Sequence, residues 1–322
     1  MAGFRETRET MNPFDEIPQA PQDQQPGEAE SISPAHDLSV GAAVTSNEAT
    51  APVEPYPGML PPLRPTYAED LQITWSWAHL ILFLVFAFVS LLLVQGVLAL
   101  HYIPSGQKLT AKQLEQFLLS KPQFAIGSML IWYGAIFFFL YVTLSLLRGH
   151  SFWKCLGWRE IKPQNPALPR NPLVYFFTGC GLSLFVALLT AWLKPPENVP
   201  IEELFKYRPT ALLFMAMAVL VAPLVEETLF RGYLYPLFAR SFGIAPGIVI
   251  TGLLFGAMHG SQLGWTWSLV AILVMVGVVF TIVRANTGSV FASYMMHLGY
   301  NSLIAVAAIV STHGFTRMPV NH

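Results

Sequence analysis

Residues 216–235 read AMAVLVAPLVEETLFRGYLY. Glu226 and Glu227 stand in the middle of a run apolar enough to cross a bilayer, where each ionised carboxylate costs roughly 2.5–3.5 kcal/mol on insertion scales. Working outward, further apolar runs recur at 73–100, 124–147, 172–193, 244–260, 265–284 and 288–311, and the quoted run widens to 210–235. About 20 apolar residues span the hydrocarbon core. Only helices and closed barrels satisfy their backbone there, and these runs are too long and too apolar for strands. The sequence therefore predicts an all-α polytopic transmembrane helical bundle of about seven spans over residues 69–313. The fifth run is short, and Gly256 and Gly260 suggest close packing or a bend. Trp75 and Trp77 open the first span with His79 just inside, and His101 and Tyr102 close it; all read as interfacial anchors. Asn286, Thr287 and Gly288 read as the turn between the last two spans.

Composition agrees. Of 322 residues, 53% are hydrophobic and 11% charged, against about 25% charged in soluble domains. The net charge of −1 averages two unlike parts: residues 1–70 hold 12 acids and three bases, residues 71–322 seven acids and 15 bases. The later bases are scattered between apolar runs, which argues against a nucleic-acid partner of the usual basic-patch kind. Cys155 and Cys180 offer neither metal spacing nor a disulfide framework, so both are expected to be reduced and structural. Residues 1–68 carry 11 of the 25 prolines and most of the acids. They are expected to be a disordered extension, and they lack the basic start and early apolar core of a signal peptide. The 148–171 loop, with Arg148, Lys154, Arg159, Lys162 and Arg170, is the most basic short loop. It places itself and the N terminus on the cytoplasmic side of a plasma or inner membrane.

The polar residues inside the spans carry the chemistry. Glu227 and Arg231 are i and i+4 with the acid first, the favourable helical order. Glu226 lies about 100° round the helix with no local partner. Pro223, a turn earlier, removes one backbone bond and reads either as a kink that opens space beside Glu226 or as a plain span proline. His259 follows Phe255 by one turn, and Asn301 follows His297 by one turn. Buried polar groups need partners, and one shared polar cavity would satisfy Glu226, His259, His297 and Asn301 together. A buried carboxylate with a histidine suits a water-activating base. A histidine beside an amide suits an oxyanion site. No Asp follows Asp70, and HExxH and GxSxG are absent, so an aspartyl dyad, the usual helical zinc motif and a serine elbow are excluded. Glu/His chemistry remains, with or without a metal.

These residues resemble the CAAX prenyl endopeptidase-like family of membrane proteases, also called the Abi or CPBP family. Its E-E-x-x-x-R motif is matched by Glu226, Glu227 and Arg231, its F-x-x-x-H by Phe255 and His259, and its H-x-x-x-N by His297 and Asn301. The likeness covers about residues 200–303. It implies a polytopic endopeptidase in which Glu226 and His259 activate water, His297 and Asn301 form the oxyanion site, and Glu227 and Arg231 support it. It leaves the metal open. No cofactor is the preferred reading, and a zinc metalloprotease site of Glu226, His259 and His297 is the alternative. The implied partners are the lipid bilayer and a peptide or protein substrate, prenylated or membrane-embedded. The rival functions are a non-proteolytic immunity or scaffold protein that keeps the fold, and a proton-coupled transporter.

Overall fold

In the computed structural model, the placed residues are 71–102, 122–163, 165–194 and 208–316, together with positions 110, 113, 200 and 205. The extension expected to be disordered at 1–68 lies outside them. Helix α1 is Trp77–Tyr102. Helix α2, Pro122–Leu140, runs into a π-helical stretch at Tyr141–Leu146. After the short α3, Phe152–Cys155, come α4, Pro172–Leu193, and α5, Arg208–Leu220. Helix α6, Ala222–Glu227, leads into a second π-helical stretch at Thr228–Leu234 and then α7, Tyr235–Phe242. Helices α8, Ile244–Met258, α9, Trp267–Thr287, and α10, Val290–Ser311, complete the bundle.

Six helical stretches are long and apolar enough to cross a membrane: Trp77–His101, Ile126–Leu146, Pro172–Leu193, Arg208–Phe242, Trp267–Thr287 and Val290–Ser311. The shorter Ile244–Met258 joins them, so about seven spans stands. Outward-facing positions are as apolar as the core; Phe88, Leu100, Trp192 and Val310 are all exposed. A helix apolar on every face belongs in a membrane, and the protein is an integral multi-pass membrane protein.

Local signals set the helix ends. The Asn171 side chain accepts from Leu173 N at 3.0 Å, with Pro172 at the first helical position of α4. Gly288, at φ +65°, ends α9 in the left-handed conformation glycine adopts freely. Asn286 and Thr287 stay inside α9, so the turn before α10 is only Gly288 and Ser289.

Glycines set the closest packing. A Cβ built on Gly179 of α4 would fall on the carbonyl oxygen of Met296, and one on Gly299 of α10 on that of Phe176. Cβ atoms on Gly252 and Gly256 of α8 would come within 2.9 and 2.8 Å of the backbone nitrogens of Val278 and Val274 in α9. Gly256 thus serves close packing, as its position suggested.

Two aromatic residues near the first span differ from their reading as interfacial anchors. Trp75 is buried, stacks on Tyr233 at 5.3 Å and donates to its carbonyl at 3.1 Å. His79 is buried in the bundle. Thr143 donates its hydroxyl to Phe139 O, so it accepts from His79 Nε2–H at 2.9 Å, and Tyr233 O–H donates to His79 Nδ1 at 2.7 Å. Thr143 and Tyr233 lie in the two π-helical stretches, and His79 ties these together. Trp77 remains exposed, bonded to Ser241.

Candidate active site

The run that carries the glutamates is not one continuous α-helix. It breaks at Val221, φ −95° and ψ −49°, and restarts at Ala222 with Pro223 in the first turn of α6. The last carbonyls of an α-helix lack helical partners. Here Met217 O accepts from Val221 N at 2.9 Å, and Ala218 O accepts from the Asn301 side chain at 2.7 Å. The proline break and the second half of the H-x-x-x-N pair thus answer each other across 83 residues of sequence. A kink was one of the two readings of Pro223; the break falls two residues earlier, because proline fits the first turn of a new helix.

Past α6 the chain widens into its π-helical stretch, a form that occurs often at functional sites. Thr228 donates to Leu224 O and accepts from the Trp158 indole at 3.0 Å. Glu227 and Arg231 are fully buried and joined at 2.9 Å. The guanidinium also donates to Gly277 O at 2.8 Å and to Thr281 Oγ1 at 3.3 Å, and lies 4.6 Å over the Phe255 ring. Glu227 has a second partner that its spacing did not reveal. His297 Nδ1 donates to the same Oε1 at 2.9 Å. A carboxylate that orients an imidazole through Nδ1–H leaves Nε2 to face the reaction space, as in hydrolytic triads.

Glu226 points elsewhere. Its carboxylate keeps some exposure, and its Oε2 stands 3.8 Å from His297 Nε2, too far for a direct hydrogen bond and close enough for one water to touch both. His259 sits one residue beyond α8. Its Nδ1–H donates to Phe255 O at 2.7 Å, which leaves Nε2 as the basic nitrogen. Phe255 forms a wall of the site, edge-on to Phe230 at 5.2 Å and to His297 at 5.9 Å.

Glu226, His259, His297 and Asn301 all line one cavity of about 400 Å³. The rest of its lining is mostly apolar, with Met215, Met217, Leu273 and Ile304 among its residues. Glu227 lies behind this cavity and reaches it through His297. Three polar lining residues, Tyr133 of α2, Gln262 of the α8–α9 loop and Tyr300 of α10, escaped the sequence reading. Tyr133 belongs to no motif and comes from a distant helix. Gln262 follows His259 by three residues in a polar break between two apolar runs, a signal that could have been read. Among the described residues, no three His, Cys, Asp or Glu side chains gather closely enough to hold a metal ion.

Residues 208–303 match the family model for type II CAAX prenyl endopeptidase Rce1-like proteins. Over this segment the chain is similar to the CAAX endopeptidase family. Every cavity-lining glutamate, histidine and asparagine named above lies within that Rce1-like segment, whereas Tyr133 lies outside it. The chain is also 31% identical over 140 residues to a protein of Escherichia coli described as an uncharacterized 24.3 kDa protein; the match takes in 42% of this chain and spans 64% of the relative. No solved structure gave a significant match.

Proposed function

We propose that the chain is an intramembrane endopeptidase that hydrolyses a peptide bond with activated water, in the manner of CAAX proteases. The observation that carries this is the convergence of Glu226, His259, His297 and Asn301, from three separate motifs, on one otherwise apolar cavity. Water held by Glu226 and His259 Nε2 gives up a proton to the carboxylate as its oxygen attacks the scissile carbonyl. The tetrahedral oxyanion is held by Asn301 Nδ2–H and by His297 Nε2–H. Because Nδ1–H is committed to Glu227, it is Nε2 that His297 turns to the oxyanion. The proton then passes to the leaving nitrogen, the C–N bond breaks, and carboxylate and amine products depart. Glu227 and Arg231 hold His297 in register. The apolar lining suits a membrane-embedded or prenylated segment. The N terminus and the 148–171 loop face the cytoplasm of a plasma or inner membrane.

The test is Glu226→Gln in the purified full chain, assayed on peptides with a prenylated C-terminal cysteine motif and by comparing membrane proteomes with wild type. Positioned general-base catalysis is worth about 10²–10⁴-fold, so cleavage should fall by that much with melting temperature unchanged. A variant that still cleaves at the wild-type rate overturns the assignment. The reaction should survive a strong chelator; zinc that tracks activity through removal and re-addition would overturn the metal-free mechanism.

A further inference from the structure

A second cavity, of about 600 Å³, lies where residues 158–161 meet the starts of α4 and α10. Its volume is within the range of about 300–1,000 Å³ common for small-ligand sites. Arg159, Arg170 and Glu160 are its charged lining; Trp158, Ile161, Pro172 and Phe291 are its apolar lining. Glu160 is paired with Lys162 at 2.9 Å, on the open surface, so the two arginines dominate the field. The backbone of the cleft is fastened in advance. Val290 N donates to Gly157 O at 2.9 Å, and Ser289 Oγ donates to Arg159 O at 2.6 Å. Pro172 and Phe291 belong to the first turns of two membrane-spanning helices, so the cleft sits at the level of the membrane surface, and the positive ends of both helix dipoles add to the arginines. From it an outward-facing stripe runs down α4: Leu173, Phe177, Leu184 and Leu188, all more than half exposed, at the spacing of one helix face.

We propose that this cleft binds the phosphate of an anionic phospholipid, with an acyl chain laid along the Leu173–Leu188 stripe. The shared chemistry is a phosphate-bearing anion, and the apolar lining and the stripe favour the lipid over free phosphate. Interfacial basic pockets between spans are suited to such headgroups. The site is separate from the acid/histidine cavity and does not depend on the proteolytic reading.

The experiment titrates the purified full chain in neutral detergent with short-chain phosphatidylglycerol, short-chain phosphatidylcholine and inorganic phosphate. Occupancy is read by native mass spectrometry. Phosphatidylglycerol should bind at least tenfold tighter than phosphatidylcholine. The double variant R159Q/R170Q should weaken phosphatidylglycerol by about 30-fold, from the usual contribution of one arginine near an anionic surface taken twice, and leave phosphatidylcholine unchanged. Should the double variant not fold, R170Q alone, at an exposed position, should give about fivefold. Equal retention of the two lipids, or a preference that survives the arginine changes, overturns the proposal. Inorganic phosphate binding as tightly as phosphatidylglycerol through the same arginines would overturn the lipid as the source.

Discussion

Glu227→Gln tests whether the buried ion pair organises the site. Glutamine keeps the shape and one acceptor, so the change is one of charge. Arg231 cannot escape to water: it is fully buried, and Gly277 O and Thr281 hold it from the far side. Its charge therefore stays in place without its counter-charge, and removing one partner of a buried pair costs about 3–5 kcal/mol. The Phe255 ring, 4.6 Å beneath the guanidinium, favours the lower end of that range, since a desolvated cation over a ring gains about 2 kcal/mol. At about 2–4 °C per kcal/mol, the full chain in detergent should melt roughly 6–12 °C lower, followed by tryptophan fluorescence. The double variant E227Q/R231M, which removes both charges and fills the space, should recover most of that loss. It should remain inactive, because His297 has lost the carboxylate that orients it. A single variant that melts with the wild type, or a double variant no more stable than the single, would refute this account of the pair.

Asn301→Ala should lower both stability and activity. It strips the partner from Ala218 O, a loss of about 1–3 kcal/mol, and removes an oxyanion donor worth about 10²–10³ in kcat; melting and single-turnover cleavage measure the two. Gly299→Ala should force α10 off the Phe176 carbonyl at a cost of about 1–3 kcal/mol, seen as a lower melting temperature. Gly179→Ala should do the same from the other side, and because one separation relieves both contacts, the double variant should lose less than the two singles together.

The spans were legible because lipid demands apolar residues on all faces of a helix, and that demand leaves an unbroken record in the chain. The chemistry-bearing residues were legible for the converse reason: Glu226, Glu227, His259 and His297 are conspicuous where polarity is expensive. Their partners were harder to see. The second role of Glu227 depends on His297, 70 residues away, and the i, i+4 spacing to Arg231 already gave it a sufficient local explanation. The break at Val221 is stabilised by Asn301, so Pro223 alone could mark its neighbourhood and not its position. His79 looked like a surface anchor because its partner Tyr233 lies 154 residues on. Tyr133 reaches the cavity only through helix packing, which no local pattern encodes.

The crossing of α4 and α10 divides the candidate catalytic cavity into a fixed wall and a yielding one. The Met296 carbonyl sits in the notch left by Gly179, and the Phe176 carbonyl in the notch left by Gly299. Sliding α10 by one turn, about 5.4 Å, would bring side chains into both notches, so the helix that holds His297 and Asn301 is barred from acting as a piston. Glu226 rides instead on six residues held between a helix break and a π-helical stretch. In the proposed endopeptidase, movement that admits a polypeptide then falls to the carboxylate side, with His297 and Asn301 as the stationary jaw of the clamp.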